Sequence, residues 1–470
     1  MAILIGRNSE IKILEEALRN DKSELITIYG RRRIGKTYLI REFYSKQLVF
    51  ELSGLFGGNM NDQLENFKKE FQKRQDLVEV PTLKSWFEAF NLLEKYINTL
   101  KGQKKKVIFI DEFPWIATAK SKFLMAFENF WNNYCTKRND LILVICGSAA
   151  SYMVQKIIKN KGGLHNRISR KIRLLPFNLQ ETDLFLKSRG LKYTQYDTIQ
   201  LYMAVGGIPH YLEKLQKGLS VAQNIDALCF NKDGVLNDEF NQLYTSLFDD
   251  SERHMTLIKA LADCNKGITR NELIEKSGIQ SSGDFSLKLD ELIESGFVSE
   301  YPFYENKKQY SLFRLSDEYS KFYLKFIQSN KNAGEGTWQR LSTKQTYVSW
   351  SGFAFETLCL KHIQQLKRAL RIDAIYSKNS SWFNSNAQID LLIDRDDNVM
   401  NLCEIKFHNA PFTIDKKYYL NLKNKAAQLQ SQTKTRKNIF ITMITTFGII
   451  QNEYSNEIVQ NELNMSCLFN

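Results

Sequence analysis

The sequence predicts an α/β protein of several domains, with a parallel sheet in its N-terminal part and a second α/β domain at its C-terminal end. The first observation is an apolar strand that runs into a glycine-rich loop and a helix over residues 25–43. A second apolar strand, at 107–110, ends in two carboxylates. Near the C-terminus, strand patterns around residues 390 and 404 carry acidic side chains and precede a helical pattern. The 470 residues suffice for roughly three or four compact units.

The glycine-rich loop has the spacing G-x-x-x-x-G-K-T, which is the P-loop pattern. Glycine lets the backbone wrap around phosphate oxygens, and the N-terminus of the following helix adds partial positive charge. We therefore expect the Lys36 ammonium to reach the β- and γ-phosphates of ATP, and the Thr37 hydroxyl to ligate Mg²⁺. The residues predicted to surround the nucleotide are Gly30, Arg31, Arg32, Arg33, Ile34, Gly35, Lys36, Thr37 and Tyr38.

Three of these residues, the arginines at 31–33, are open to more than one interpretation. Their guanidinium groups could contact the nucleotide, DNA or only water. A solvated loop is the first interpretation.

The second apolar strand ends in Asp111 and Glu112, as the Walker B strand of a P-loop ATPase does. Asp111 is expected to hold Mg²⁺ directly or through water, and Glu112 to polarise the attacking water as the general base. An ordinary buried strand can also end in Asp-Glu, but the P-loop upstream favours the hydrolytic interpretation.

A third apolar strand, at 141–145, precedes Ser148. This position resembles that of the polar residue by which P-loop ATPases of the AAA+ type sense the γ-phosphate, so the resemblance implies that role for Ser148. N-capping of the next helix explains this serine nearly as well. Further along, an arginine finger is expected among Arg167, Arg170 and Arg173, with Arg167 as the first choice. A basic helix end or a DNA contact explains these arginines equally well.

These motifs, together with "IGRNSEIKIL", "IRLLPF" and "VGGIPHYL", resemble the bacterial and archaeal ATPases of the AAA+/STAND group, which often carry a C-terminal nuclease-like domain. The resemblance implies an ATPase core over 1–180 and a helical lid over 181–245, with ATP and Mg²⁺ as cofactors. It also implies that Gly6 and Arg7 lie near the adenine and that residues 206–209 belong to the lid.

Residues 246–328 show three short amphipathic helices and then a hairpin pattern, which is typical of a winged helix-turn-helix domain. Thr269 and Glu272 form a predicted capping box at the second helix. The third helix has one lysine and four carboxylates, at Asp284, Asp290, Glu291 and Glu294. Such a helix is a poor surface for phosphates, although Lys307 and Lys308 give the wing a basic pair. A spacer or protein-contact role is therefore favoured over reading of the major groove.

The polar segment 329–338 is predicted to be a linker, which leaves a C-terminal domain over 338–470. Two strands joined by a turn would place Asp390 beside Glu404, with Lys406 on the same face of its strand. This D-(x)n-E-x-K pattern is typical of metal-dependent nucleases: Asp390 and Glu404 hold Mg²⁺ or Mn²⁺, and Lys406 orients the nucleophile or stabilises charge. A solvated hairpin without chemistry is the alternative.

Two further residues are expected at this site. Glu356 lies in a helical pattern whose apolar face would point it inward, and Gln388 shares the strand face of Asp390. The order of helix, two strands and helix resembles the PD-(D/E)xK restriction-endonuclease fold, with Ile389 in place of the usual proline.

The formal net charge of +13 favours a polyanionic partner, either nucleotide or nucleic acid, with DNA as the first candidate. Seven cysteines are scattered singly, which fits reduced thiols in a cytoplasm, and no apolar run has the length of a membrane span. Two functions compete: an ATPase coupled to a metal-dependent nuclease, in defence or DNA processing, and a signalling or scaffold ATPase whose C-terminal domain only docks a partner. The sequence leaves a homo-oligomer or a protein partner open.

Overall fold

The protein is described from a computed structural model. The structure describes residues 4–75, 80–102, 105–118, 120–148, 152–158, 162–164, 166–264, 267–304 and 311–470. The chain forms two compact units, Met1–Leu175 and Pro176–Asn470. The regions expected at 181–245, 246–328 and 338–470 therefore all lie within the second unit.

The first unit is built on a parallel sheet. Its elements are α1 (Asn8–Arg19), β1 (Glu24–Tyr29), α2 (Lys36–Phe43), β2 (Leu48–Ser53), α3 (Met60–Gln75), α4 (Trp86–Thr99), β3 (Lys106–Asp111), α5 (Phe113–Ile116), α6 (Phe123–Asn133), β4 (Leu141–Gly147) and β5 (Arg170–Arg173). The strand order is β2-β3-β4-β1-β5, and every neighbouring pair is parallel. Strands β3 and β4 are buried along their whole length, because helices cover a parallel sheet.

Aromatic side chains fix the helices of the first unit. Phe67 on α3, Trp86 on α4 and Phe123 on α6 belong to one buried cluster with Phe113, which follows β3. The rings of Trp86 and Phe123 meet edge to face, with centroids 4.7 Å apart. Such pairs add specificity to apolar burial. This packing holds the carboxyl end of β3 firmly against α5 and α6.

The second unit begins with helices, in the range that the resemblance implies is a helical lid. They are α7 (Leu179–Ser188), α8 (Gln195–Val205), α9 (Pro209–Leu212), α10 (Val221–Cys229) and α11 (Glu239–Thr245). Between α8 and α9, Gly207 passes so close to Phe177 that an added Cβ would lie 1.9 Å from the Phe177 carbonyl oxygen. Only glycine fits there.

Three helices and a hairpin follow, and we call this part the helix-hairpin segment. Its elements are α12 (Ser251–Ala262), α13 (Arg270–Ser277), α14 (Gly283–Glu294), β6 (Val298–Tyr301) and β7 (Leu312–Leu315), with β6 and β7 antiparallel. The capping box of Thr269 and Glu272 is confirmed. Lys307 and Lys308 lie outside the described residues.

The carboxylates of α14 are partly used within the segment. Glu291 Oε2 lies 2.7 Å from Nε2 of the buried His254, and Asp284 pairs with Arg253, both partners lying on α12. The acidic character of α14 therefore contributes to helix packing.

The C-terminal part contains α15 (Glu318–Phe322), α16 (Thr337–Leu341), α17 (Gln345–Lys361), α18 (Ile363–Ala369), β8 (Ser377–Phe383), β9 (Gln388–Arg395), β10 (Val399–Lys406), β11 (Phe412–Thr413), α19 (Lys416–Thr433), β12 (Asn438–Thr445), β13 (Ile449–Ile450), α20 (Glu453–Ile458) and β14 (Val459–Asn464). The main sheet has the order β14-β12-β10-β9-β8, antiparallel at β8-β9-β10 and parallel beyond. The helix predicted to follow the two strands is α19.

Residues 329–338 are predicted to be a linker, but the last residue of this segment, Trp338, is buried. Trp338 is only 5% exposed, and its ring packs on Phe322, Phe326 and Trp350. Its backbone N–H donates to the buried carboxylate of Asp226. The prediction is wrong for this end of the segment, because polar neighbours in the sequence give no local sign of the aromatic core that Trp338 joins in the folded chain.

Two expectations concern the chain as a whole. All seven cysteines are free of disulfides, as expected. In the ranges that the structure describes, no helix combines the length and the apolar character that a bilayer crossing needs.

His362, just after α17, gives the second unit a predicted pH dependence. Its Nε2 accepts from the Leu179 N–H of α7, and burial lowers the pKa of the ring to about 4. Because the pKa is lower in the folded state, the stabilisation is complete above about pH 6.5 and is lost as pH falls toward 4, by roughly 3 kcal/mol.

Melting curves between pH 7 and pH 4 check this expectation. In His362→Gln, whose amide oxygen can still accept from Leu179, the melting temperature should fall less steeply than in the wild type over this range. Parallel curves for the two proteins would show that His362 does not titrate in this way.

Candidate functional sites

The P-loop geometry follows from its two glycines. Gly30 has a φ of 145°, and an added Cβ would lie 2.3 Å from the carbonyl oxygen of Leu174, while Gly35 has a φ of 88°. Larger residues would be strained at both positions. The buried Lys36 ammonium donates to the carbonyl oxygens of Gly30 and Arg31, at 2.9 and 2.8 Å. The cation therefore lies within the loop, where nucleotide phosphates would bind.

The Arg7 side chain holds the P-loop in position through hydrogen bonds. This role was not predicted from the sequence. Its guanidinium donates to the carbonyl oxygens of Ile34 (3.0 Å) and Leu175 (2.7 Å), and the residue is only 5% exposed. Both Gly6 and Arg7 have positive φ angles. The resemblance implied a place near the adenine, and the observed bonds add that Arg7 fixes the position of the P-loop.

The three loop arginines lie in three different environments. Arg31 is buried, at 2% exposure, so the interpretation of all three as solvated is wrong for this residue. Arg32 is half-buried and lies over the Trp115 ring at 5.5 Å, whereas Arg33 is exposed. Tyr38, the last residue of the predicted set, is 47% exposed.

The structure brings Thr37 and Asp111 together. The Thr37 hydroxyl donates to Asp111 Oδ2 at 2.6 Å, and the Glu112 N–H donates to Asp111 Oδ1 at 2.9 Å. A hydroxyl and a carboxylate in contact are hard oxygen ligands of the kind that Mg²⁺ binds in nucleotide sites. The residues present therefore fit this ion.

Ser148 is bonded to the predicted general base. Its Oγ donates to Glu112 Oε2 at 2.9 Å, since β4 lies beside β3 in the sheet. Glu112 itself has a left-handed backbone, with φ 46°. The serine thus orients the carboxylate, a role that was not among the two interpretations drawn from the sequence, phosphate sensing and N-capping.

The three candidate arginine fingers differ in their ion pairs and in their exposure to solvent. Arg170 forms ion pairs with Glu16 (2.9 Å) and with the buried Glu24 (3.3 Å), which gives it a structural role. Arg167 and Arg173 are exposed. Exposure does not separate these two arginines, and the choice of Arg167 stays a prediction.

The C-terminal carboxylates meet on two strands. Met400 pairs with Asp394 and Cys403 with Leu391, so the register continued by one residue places Glu404 opposite Asp390. The Gln388 amide donates to Asp390 Oδ1 at 2.5 Å. The two carboxylates therefore share one face of the sheet, as the sequence predicted from the alternation of strand residues.

Glu404 is surrounded by cationic and hydroxyl donors. Its oxygens contact the ammonium groups of Lys406 at 3.0 Å and Lys425 at 2.7 Å, and the Tyr418 hydroxyl donates to Oε1. Burial raises the pKa of Glu404, but the two lysines outweigh burial and leave it below its ordinary value. Lys425 and Tyr418, both on α19, were missed because only the fold brings this helix to β10.

Glu356 on α17 completes the cluster. Burial and the neighbouring Asp390 raise its pKa to about 8, and its Oε2 is buried without a hydrogen-bond partner among the described residues. A divalent cation would satisfy this oxygen, and hard carboxylate oxygens suit Mg²⁺ or Mn²⁺. As placed, though, the described residues contain no set of three acidic, His or Cys side chains arranged around one point for a metal.

A further residue of the cluster comes from the helix-hairpin segment. Arg314 on β7 is 2% exposed, and its Nη2 lies 3.8 Å from Asp390 Oδ1. Arg314 was not among the predicted site residues. The signal was present, because an arginine in the otherwise apolar strand "LFRL" must find a buried partner.

The parallel sheet, the P-loop and the contact of Thr37 with Asp111 define the first unit as the core of a P-loop ATPase. Residues 4–215 match a family described as an ATPase domain predominantly from Archaea. Residues 323–427 match a second family, described as "Archaea bacterial proteins of unknown function".

Individual proteins with known sequences or structures are also similar to this chain. An uncharacterized protein of Methanocaldococcus jannaschii is 27% identical over 429 residues, 90% of this chain and 92% of that protein. An uncharacterized ATP-binding protein of the same organism is 24% identical over 302 residues, 55% of this chain and 82% of its own. The solved Walker-type ATPase of Pyrococcus abyssi has a TM-score of 0.48 and 14% identity, covering 68% of this chain and 96% of its own.

Proposed function

We propose that the first unit binds ATP with Mg²⁺ and hydrolyses it, with Glu112 as the general base. The observation that carries the proposal is the chain of contacts from Thr37 through Asp111 and Glu112 to Ser148. These bonds place a hydroxyl, a carboxylate and a second, oriented carboxylate side by side at the end of the P-loop. That arrangement suits phosphoryl transfer to water.

Each residue has a distinct part in this chemistry. Lys36 exchanges the carbonyls of its own loop for the β- and γ-phosphates. Thr37 and Asp111 would hold Mg²⁺, which would supply neutralisation of phosphate charge. Glu112 accepts a proton from the attacking water, and Ser148 holds its carboxylate in position. Arg7 keeps the loop in place through the Ile34 carbonyl.

Replacement of Lys36 by alanine tests the binding part of the proposal. Without its ammonium group the loop loses its strongest contact with the phosphates, so the dissociation constant for ATP should rise by roughly 100-fold or more. Titration calorimetry with ATP and Mg²⁺ measures it. Lys12→Ala, at an exposed lysine of α1, is the matched control and should bind like wild type. An unchanged affinity in Lys36→Ala would contradict the assignment.

The carboxylate cluster supports a second candidate function, metal-dependent cleavage of nucleic acid. The observation that favours it is the pairing of Asp390 with Glu404 on one face, with Lys406 and the buried Glu356 beside them. Asp390 and Glu404 would hold Mg²⁺ or Mn²⁺, with Glu356 as a further oxygen ligand. The ion supplies Lewis-acid activation of the scissile phosphate, and Lys406 orients the nucleophile or stabilises the charge that develops.

The proposal joins the two activities in one protein, an ATPase coupled to a nuclease acting on nucleic acid, with DNA as the first candidate. Its helix-hairpin segment would be a winged helix domain with a spacer or protein-contact role. Purified full-length protein is incubated with plasmid, single-stranded DNA and RNA, with Mg²⁺ or Mn²⁺, with and without ATP. Metal-dependent cleavage supports the nuclease. Absence of cleavage under every condition favours the alternative, in which the C-terminal domain is a docking module.

A further inference from the structure

Arg314 is a buried cation that uses few of its hydrogen-bond donors. Its exposure is 2%, and neither Nε nor Nη1 has a partner within the described part of the chain. Its guanidinium lies 5.9 Å from the centre of the Tyr301 ring and 3.8 Å, through Nη2, from the Asp390 carboxylate. A guanidinium in this setting is stabilised chiefly by the opposite charge beside it.

The hairpin that carries Arg314 is attached to the sheet that carries Asp390. The Tyr304 N–H donates to the Ser381 carbonyl at 3.0 Å, and the Ser381 N–H donates to the Pro302 carbonyl at 3.2 Å. Ser381 lies on β8, and its hydroxyl donates to the Asp390 carbonyl at 2.9 Å. Main-chain bonds therefore fix the hairpin against the strand next to the carboxylate.

Cationic side chains of this protein balance the negative charges of Glu404 and Asp390. Glu404 is neutralised by the two lysines at 406 and 425. Asp390 is left with Arg314 as its paired cation. A divalent ion at Asp390 would face the guanidinium at close range, and two cations repel each other strongly where water is excluded.

We propose that Arg314 and a divalent cation are alternative occupants of the space beside Asp390, so that the hairpin must move away before the carboxylate cluster takes up metal. Since Arg314 is enclosed on all sides, its guanidinium leaves Asp390 only if β7 shifts. The helix-hairpin segment then acts as a gate on metal loading. This inference rests on the proposed nuclease function, because it assigns a regulator to that same site.

Manganese binding to the full-length, nucleotide-free protein tests the proposal. Calorimetric titrations compare wild type with Arg314→Met, which keeps the apolar stem and removes the charge, and with Arg314→Lys, which keeps the charge. Asp390→Asn serves as the reference that subtracts ions bound elsewhere, including at Asp111. Arg314→Met should bind Mn²⁺ in the Asp390-dependent site roughly tenfold more tightly than wild type, and Arg314→Lys should remain near wild type.

The outcomes separate the two proposals. If wild type and Arg314→Met bind with equal, Asp390-dependent affinity, the cluster is a metal site and the gate is wrong. If no Asp390-dependent binding occurs in any of the proteins, the nuclease proposal fails and the gate fails with it.

A second measurement avoids the substitutions at the buried Arg314. Hydrogen–deuterium exchange follows peptides that cover Tyr304 and β8, in wild type and in Asp390→Asn as the control. Mn²⁺ should raise exchange at Tyr304 and Ser381 several-fold in wild type, because the main-chain bonds between these residues open when the hairpin moves. Metal that binds without any such increase would overturn the gate.

Discussion

Glu112→Gln is expected to lower the rate of ATP turnover by roughly 10²- to 10⁴-fold while leaving ATP affinity near that of wild type. The substitution keeps the shape of the side chain and its bond with the Ser148 hydroxyl, but an amide cannot accept the proton of the attacking water. Phosphate release under saturating ATP measures the rate, and calorimetry measures the affinity.

Ser148→Ala is the matched companion variant. It leaves the general base in place and removes only the bond that orients it, so turnover should fall by a smaller factor, roughly tenfold. A variant at Glu112 that hydrolyses ATP at the wild-type rate would show that another group activates the water.

Asp390→Ala and Lys406→Ala are both expected to abolish metal-dependent cleavage of nucleic acid, with rates lower by roughly 10³-fold or more. The two variants should differ in metal binding. Mn²⁺ is expected to raise the melting temperature of the wild type. Asp390→Ala removes a ligand and should lose this rise, whereas Lys406→Ala keeps Asp390 and Glu404 and should retain it. Cleavage of labelled DNA and thermal melting of the full-length chain supply the two readouts.

Asp394→Ala is the control for these variants. Asp394 lies on the same strand as Asp390, and its carboxylate pairs with Lys437 instead of the cluster. Cleavage should persist in this variant. Equal loss of cleavage in Asp394→Ala and Asp390→Ala would mean that the strand, and not the site, is damaged.

The ATP site could be predicted from the sequence because its residues are close together along the chain or follow obvious apolar strands. The spacing of Gly30, Gly35 and Lys36 sets the loop conformation locally, and the apolar run before Asp111 identifies the strand that carries it. The bond between Ser148 and Glu112 needed the order of the strands, since it depends on β4 lying beside β3.

The C-terminal site was predictable only in part, for a physical reason. Asp390 and Glu404 lie on adjacent strands joined by a short turn, so strand alternation alone brings them together. Arg314 lies on β7 and Lys425 on α19, two elements that only the fold brings to the cluster. No local sequence pattern therefore predicts that these side chains contact Asp390 and Glu404. Burial of charge could have been the clue, because an arginine within an apolar strand implies a partner elsewhere in the fold.

The aromatic cluster around Trp338 determines what happens to truncated forms of this protein. A premature stop codon ahead of Trp338 would leave an ATPase-containing fragment with Phe230, Phe322 and Phe326 stripped of the ring they pack on. Exposed apolar patches of this kind drive aggregation and degradation. A chain that ends ahead of Trp338 is therefore expected to keep the buried core of the first unit but to carry a second unit that is prone to aggregation and degradation.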